Sequence, residues 1–331
     1  MKAIVIERPQ QFGVARLEDP TPGPSEAILA VEACGICGTD IHMLDGNFAL
    51  ARYPIVPGHE FCGEVVAVGT QVTNLREGDF VAVDPNLFCG RCRFCRIGRF
   101  NLCENWDAIG VTRDGACAEL VRVPGANAFK LPDEIPRRWG TLVEPLSCAV
   151  HGFDRLKPMV ASSYLIYGAG TMGLLIASLA RRAGASRVDM VEKNTARFDL
   201  ARRLAADRLT TSADEFDRRD GWDVVIDATG AVPAIEDGIR RVARGGTFLV
   251  FGVAGAGKTA AFSPFRVYND EIRIIGSMSV LHSFERALSL VETGAIDCEA
   301  LLTHRFELDD YRSAIDTFRT GEGLKVQVGP K

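Results

Sequence analysis

The sequence predicts an α/β fold in two parts: a doubly wound parallel sheet, and a β-rich unit that precedes it and is completed by a short return segment. Three observations predict it. Between residues 163 and 276, apolar runs of strand length alternate with helix-forming segments, which implies a parallel sheet with right-handed crossovers. Before residue 135, short apolar runs are bounded by Gly, Pro and other turn residues, the pattern of an all-β, barrel-like unit. The length of 331 residues fits about two domains. The boundaries fall at 1–145 together with 283–331 for the β-rich unit, and at 146–282 for the sheet.

In the first part, Met1 to Glu7, Ala27 to Val31 and Glu64 to Val68 have strand length, and Glu77-Gly78-Asp79 is a turn feeding Phe80 to Val83. Between them, residues 37 to 60 concentrate chemistry: Cys37, Thr39, His42, His59 and Glu60. Cys, His and Glu are the ligand types of a catalytic zinc, which takes three protein ligands and leaves a position open. Cys37, His59 and Glu60 are the candidate set. The bland alternative is a buried thiol, a core imidazole and a surface carboxylate.

Cys89, Cys92, Cys95 and Cys103 follow in the pattern C-x2-C-x2-C-x7-C. Four thiolates so spaced form a closed tetrahedral site, the arrangement of structural zinc. An iron–sulfur cluster competes, but its bacterial run has a shorter last gap and a following Pro, and here Glu104 follows Cys103. Arg91, Arg93, Arg96 and Arg99 interleave with the thiols, where they offset negative charge better than they suggest a nucleic-acid patch.

In the second part, Ser163 to Tyr167 is a strand, Gly168-Ala169-Gly170-Thr171-Met172-Gly173 follows at once, and Leu174 to Arg182 is helical. A G-x-G-x-x-G run at a strand-to-helix turn is the dinucleotide fingerprint of a Rossmann unit. Gly168 makes the turn, Gly170 lets the backbone approach pyrophosphate, and Gly173 allows close packing. The next strand, Arg187 to Val191, ends at Glu192, where an acid bonds the ribose 2′-hydroxyl and disfavours a 2′-phosphate. That favours NAD, although Lys193 and Arg197 keep NADP open. Thr195 to Ala205 is helical, Asp223 to Asp227 a strand, Ala234 to Val242 helical, Gly246 to Phe251 a strand, and Glu271 to Gly276 the last strand.

Gly252 to Thr259 also satisfies the P-loop pattern G-x-x-x-x-G-K-[ST]. A P-loop must lead into a helix, and the following segment contains Pro264 and shows no helical period. The loop at Gly252-Val253, and Ser277-Met278 after the last strand, are instead expected beside the dinucleotide at the carboxyl end of the sheet. The C-terminal stretch offers two amphipathic helices, His282 to Val291 and Asp310 to Phe318, and a final strand, Lys325 to Val328, with no evident site; His282 and His304 are expected to be structural or solvated.

A net charge of −5 argues against nucleic acid as the main partner. No window reaches the ~18 apolar residues of a membrane span, and Met1 to Glu7 is too short an apolar run for a secretory signal. Of ten cysteines, four cluster as metal ligands, so disulfides are not expected and a cytoplasmic location is.

The ligand cluster, the four-cysteine lobe, the Rossmann turn and the return segment, in this order, resemble the zinc-dependent medium-chain dehydrogenases over essentially the full length. In that family the β-rich unit is a GroES-like catalytic domain. Glu144-Pro145 is similar to the sorbitol dehydrogenase branch, because the simple-alcohol branch carries Cys where Glu144 stands. The resemblance implies NAD-dependent oxidation of a secondary alcohol, a polyol or sugar alcohol, to the ketone by hydride transfer to nicotinamide. It implies two zinc ions per chain: a catalytic one on Cys37, His59 and Glu60, with Glu144 beside it as an alternative ligand, and a structural one on the four cysteines. Thr39 would take the substrate proton and pass it through the ribose toward His42. Met172 would touch the dinucleotide, Glu192 its ribose and Arg197 its adenine end. The family also implies a homodimer or homotetramer joined at the edge of the Rossmann sheet.

Counting charge, Cys37 and Glu60 as anions balance Zn²⁺. Glu144 as a fourth tight ligand would close the centre and make it anionic, so Glu60 and Glu144 are not expected to bind tightly together while substrate is bound. Two departures loosen the substrate assignment. Met43 stands where sorbitol dehydrogenases carry Tyr, and Ser277-Met278-Ser279 where they carry Arg. Threonine, butanediol and aminocyclitols therefore remain alternatives. A zinc-free quinone or enoyl reductase would lack the catalytic ligands, and a non-enzymatic binding protein would show decay of the ligand set or glycine turn; this chain keeps both.

Overall fold

The computed structural model describes residues 1–331. They form two compact units: Met1–Ser147 with Val280–Lys331, and Cys148–Ser279.

The first unit opens with an antiparallel hairpin of β1 (Lys2–Arg8) and β2 (Gln11–Arg16). The long strand β3 (Glu26–Gly35) leads into a short helix, α1 (Gly38–Leu44), and the chain returns as β4 (Glu60–Val68) and β5 (Phe80–Val83). Two-residue strands β6 (Asn86–Leu87) and β7 (Asp107–Ala108) pair at the base of the cysteine lobe, which carries one turn of helix, α2 (Arg93–Arg96). β8 (Leu120–Pro124), β9 (Ala128–Lys130) and helix α3 (Val143–Leu156) follow.

The second unit alternates as its sequence predicts. In order it has β10 (Ser163–Tyr167), α4 (Thr171–Arg182), β11 (Arg187–Val191), α5 (Phe198–Leu204), β12 (Arg208–Thr210) and β13 (Trp222–Asp227). α6 (Val232–Arg241), β14 (Val242–Val250), α7 (Pro264–Asn269) and β15 (Arg273–Gly276) complete it. Every strand pair is parallel and the order is β12-β11-β10-β13-β14-β15. The winding reverses between β10 and β13, the switch point where doubly wound sheets bind ligands. All five residues of β10 are buried, as a central parallel strand covered on both faces requires. Helix α7 corrects the expectation of no helix there. Pro264 sits in its first turn, where the ring pre-sets the helical φ, and Ser263 caps it by accepting from the Arg266 N–H. A proline taken as a breaker is a helix start. The helix begins five residues beyond Thr259, so the Lys258-Thr259 pair still does not open it.

The chain then rejoins the first unit with α8 (Phe284–Glu292), α9 (Cys298–Leu301), β16 (Leu302–Glu307), α10 (Tyr311–Thr320) and β17 (Lys325–Gly329). β17 is not peripheral. The seven-stranded sheet runs β16-β17-β3-β4-β5-β9, with β8 also on β3, so the last strand lies beside the central one. Alternate residues of these strands, among them Leu29, Phe61, Val81, Val326 and Val328, build the core with Ile4 from β1 and with Tyr311 and Ile315 from α10. No helix is long and apolar enough to cross a membrane.

Candidate active site

The local backbone explains why Cys37, His59 and Glu60 meet. Cys37 sits at the start of α1, where the Asp40 carboxylate accepts from its N–H at 2.8 Å and fixes the first turn. Gly58 has φ +102°, and a Cβ there would lie 2.6 Å from the Cys34 sulfur and 2.7 Å from that of Cys117. Only glycine can turn the chain over those buried thiols and send His59 and Glu60 into β4. The ligand atoms of Cys37, His59 and Glu60 all lie within 4.8 Å of one another.

Asp40, which sequence reasoning passed over, is 1% exposed and stands behind His59. Its Oδ1 is 3.7 Å from His59 Nδ1, and neither atom has a hydrogen-bond partner. That carboxylate is placed to hold the imidazole with one nitrogen inward and the other free for a metal, the usual support of a ligating histidine. Burial alone would lower the His59 pKa, but Asp40, then Cys37 and Glu144, outweigh it and hold it well above its ordinary value. The pocket is thus a trap for positive charge, and a divalent cation displacing the proton satisfies it. On this chemistry the residues fit zinc.

Thr39 Oγ1 lies 3.9 Å from Cys37 Sγ, and His42 is three residues on, so both occupy one face of α1. Met43 is fully buried in the core of the first unit, so the residue after His42 packs inward. Glu144, buried in the first turn of α3, lies outside the three-ligand cluster, yet its charge still raises the pKa of His59.

The C-terminal strand does carry a site residue, against expectation. Lys325, 3% exposed, forms a buried ion pair with Glu60, its Nζ donating to Glu60 Oε2 and, at 3.4 Å, to the Ile36 carbonyl. Burial opposes the charged ammonium, but Glu60, then Cys37 and Glu144, outweigh burial and hold its pKa above the ordinary value. The charge count from ligands alone is therefore incomplete, because it leaves out both Lys325 on Glu60 and Asp40 behind His59. A lysine opening an otherwise Val-alternating strand is a weak signal, and nothing local pairs it with residue 60.

The second cluster is Cys89, Cys92, Cys95 and Cys103, again with all ligand atoms within 4.8 Å. The N–H groups of Cys89 and Asn105 each donate to Cys103 Sγ at 3.3 Å, and that of Cys95 to Cys92 Sγ at 3.5 Å. Backbone N–H groups of Arg91 and Cys92 hold the Cys89 thiol down to about 6, whereas burial and then its neighbouring thiols push Cys95 up to about 12. Four sulfurs brought this close together are what a tetrahedral zinc would bind. All ten cysteines are free.

In the second unit the carboxyl ends of the central strands assemble the expected dinucleotide residues. Gly168, at φ +95°, ends β10, and Gly173 packs so closely on the Gly168 carbonyl that no side chain fits. Glu192, at the end of β11, accepts from Ala169 N–H at 2.7 Å and Asn194 N–H at 2.8 Å, and Arg197 lies 3.5 Å from it. Thr171 and Met172 open α4. Gly252-Val253 pack against Thr229-Gly230, and Ser277 follows β15. The Ser277 hydroxyl is buried without a hydrogen-bond partner, a polar group that a ligand at this edge would satisfy.

Such a chain is built to move hydride between a nicotinamide and a carbon bearing oxygen, which makes it a metal-dependent dehydrogenase by class. Family models agree: the alcohol dehydrogenase GroES-like domain matches residues 23–133, and the zinc-binding dehydrogenase domain residues 171–293. D-arabinitol dehydrogenase 1 of Uromyces fabae is 37% identical, covering 100% of this chain and 97% of its own. L-threonine 3-dehydrogenase of Rhizobium rhizogenes is 32% identical over 98% and 97%. A zinc-binding dehydrogenase-type structure from Sinorhizobium meliloti 1021 bound to NADP superposes with TM-score 0.95 at 36% identity, covering 99% of each chain. The chain belongs to the zinc-dependent medium-chain alcohol and polyol dehydrogenase family. It is an oxidoreductase acting on CH–OH donors, with zinc and NAD(P) as its cofactors.

Proposed function

We propose that this enzyme oxidises a polyol or sugar alcohol at a secondary carbon to the ketone. The observation that carries the reading is the mutual approach of Cys37, His59 and Glu60 within 4.8 Å, in a pocket whose field favours a cation. Full-length similarity to a D-arabinitol dehydrogenase, together with Glu144-Pro145, supports the polyol class. These three residues would hold the catalytic zinc, and the four cysteines a structural one. Zinc held there would supply Lewis acidity at the reacting hydroxyl. The protein supplies position and charge while the nicotinamide carries the hydride chemistry. Thr39, beside Cys37, would accept the proton of the substrate hydroxyl while giving up its own by way of the cofactor ribose toward His42, one turn on, which would release a proton to solvent.

Glu192 supports NAD over NADP: its carboxylate is anchored by Ala169 N–H of the glycine turn and by Asn194 N–H just beyond β11, where it would face a 2′-phosphate. Arg197 beside it, and the NADP held by the Sinorhizobium relative, are the grounds for the other reading. A homodimer or homotetramer is supported by the exposed edge strand β15, with Ile274 on it and Phe265 and Tyr268 exposed on α7 just before it. Ten free cysteines suit a cytoplasmic location.

The deciding experiment is a nicotinamide-reduction screen with NAD and with NADP across pentitols, hexitols, 2,3-butanediol, cyclitols and L-threonine. A polyol with NAD is expected to give the highest kcat/KM. Turnover of L-threonine alone would move the enzyme to the second reading, which the 32%-identical relative favours.

A further inference from the structure

The buried pair of Lys325 and Glu60 depends on a third residue. β3 lies between β17 and β4, and Gly35 pairs with Gln327 on one side and Glu60 on the other. Strand residues alternate between faces. Val326 and Val328 face the core, so Lys325 and Gln327 face the opposite way, with Gly35 and Glu60. A Cβ at Gly35 would strike the Glu60 carboxylate and come within 3.1 Å of Lys325 Cδ. The missing side chain on the middle strand is the gap through which lysine and glutamate meet.

A buried ion pair is a poor device for stability, because desolvating both charges consumes most of the attraction. Gln327, on the same face, holds the strand by donating to the Arg138 carbonyl at 2.8 Å and to Thr141 Oγ1 at 2.6 Å. The lysine charge therefore calls for a reason beyond the fold, and its neighbours supply one. Lys325 is the ammonium set against Glu60 in a pocket that also holds Cys37 and Glu144, with Asp40 behind His59, so its charge offsets part of that acidity. Lys325 also occupies one oxygen of Glu60, so only the other is left for a metal.

We infer that Lys325 is a positioning residue that competes with the catalytic metal for Glu60, keeping that carboxylate a weakly held ligand able to yield its place to Glu144 or to substrate. The inference rests on the zinc reading above. It fixes a sign: taking away the ammonium adds one uncompensated negative charge to the centre, so the metal binds tighter, not weaker. A merely structural lysine has the opposite signature, because a disturbed Glu60 loosens the metal.

The test uses the full-length zinc-loaded enzyme and Lys325→Met, with zinc extraction followed against chelators of graded affinity and kcat measured alongside. One of the two zincs is expected to become about tenfold harder to extract, at the low end of the range over which partners of metal ligands shift affinity. The other zinc is unchanged and kcat falls. Lys325→Arg, which keeps the charge, restores wild-type extraction. If Lys325→Met fails to fold, Lys325→Gln removes the charge but keeps an N–H donor for Glu60, and carries the same expectation. Zinc held equally or more weakly in the neutral variant overturns the inference while leaving the zinc reading intact. A wild-type chain that holds only one zinc overturns both.

Discussion

The two metal-type clusters of the first unit invite comparison. The four cysteines lie within one segment, Cys89 to Cys103, and each sulfur is surrounded by other sulfurs and by backbone N–H groups. Cys37, His59 and Glu60 are instead surrounded by charge: Asp40 behind the imidazole, Lys325 on the carboxylate, Glu144 nearby. One set is closed and chemically uniform, the other has three unlike ligands and buried groups that bias each. A site that only holds the fold needs enough donors. A site that must release and rebind a ligand every turnover needs its donors tuned, and the tuning groups come from wherever the topology brings them.

The sharpest way to break this comparison is to remove a ligand from the tuned set. Cys37→Ser should lower kcat by about 10³-fold or more, the scale on which a lost electrostatic stabiliser acts. The melting temperature should stay within about 4 °C of wild type, because the fold does not depend on this site. Retained turnover in steady-state assays would remove Cys37 from the centre. The proton exit comes next. His42→Ala should slow turnover about a hundredfold near neutral pH, the low end of general-base effects. The deficit should shrink as pH rises, because bulk solvent then takes the proton directly. A pH profile parallel to wild type would take His42 out of the relay.

Smaller still is the effect of loosening a support. Asp40→Asn keeps the shape beside His59 but removes the charge that holds its Nδ1 side. Zinc affinity at this centre should fall about tenfold, while the four-cysteine zinc stays put. This is opposite in sign to the lysine variant. A competition assay showing both variants moving the same way would mean that the buried charges act by packing alone.

How legible each site was in the sequence follows the same division. The cysteine lobe was readable because its ligands repeat at fixed spacing within one segment. The Rossmann turn was readable because Gly168, Gly170 and Gly173 sit between a strand and a helix whose periods differ. Cys37, His59 and Glu60 were visible as residue types, since Gly58 and the start of α1 keep them local. Asp40 was hidden because an acid in a first helical turn looks like an ordinary cap, a job it also does for Cys37 N–H. Lys325 was hidden because its partner lies 265 positions away and the two meet only after β17 is laid beside β3. β16 went unseen for a related reason: as an edge strand it carries only Leu302 and Phe306 as apolar residues, too few to mark alternation. Pro264 misled because a proline that begins a helix and one that breaks it look alike until the cap is seen.

The smallest expected effect on chemistry comes from the closed site, and it is the control that gives the comparison its meaning. Cys95 is buried in the lobe, with its thiol pushed up to about 12 by burial and by the sulfurs around it. Cys95→Ser replaces one thiolate by a hydroxyl that does not ionise, so the lobe loses a ligand and its hold on the metal. The lobe is tied to the rest of the unit through the β6–β7 pair and through His282, whose Nε2 lies 3.2 Å from the Gly98 carbonyl and whose ring meets Phe100 edge-on. Loosening it should therefore lower the melting temperature by about 5 °C, some 2 kcal/mol in a protein of this size. Below that transition kcat should remain within about twofold of wild type, because structural zinc contributes folding energy rather than catalysis. Loss of turnover at temperatures where circular dichroism still reports native structure would show that the two sites are coupled, and would end the division of labour drawn between them.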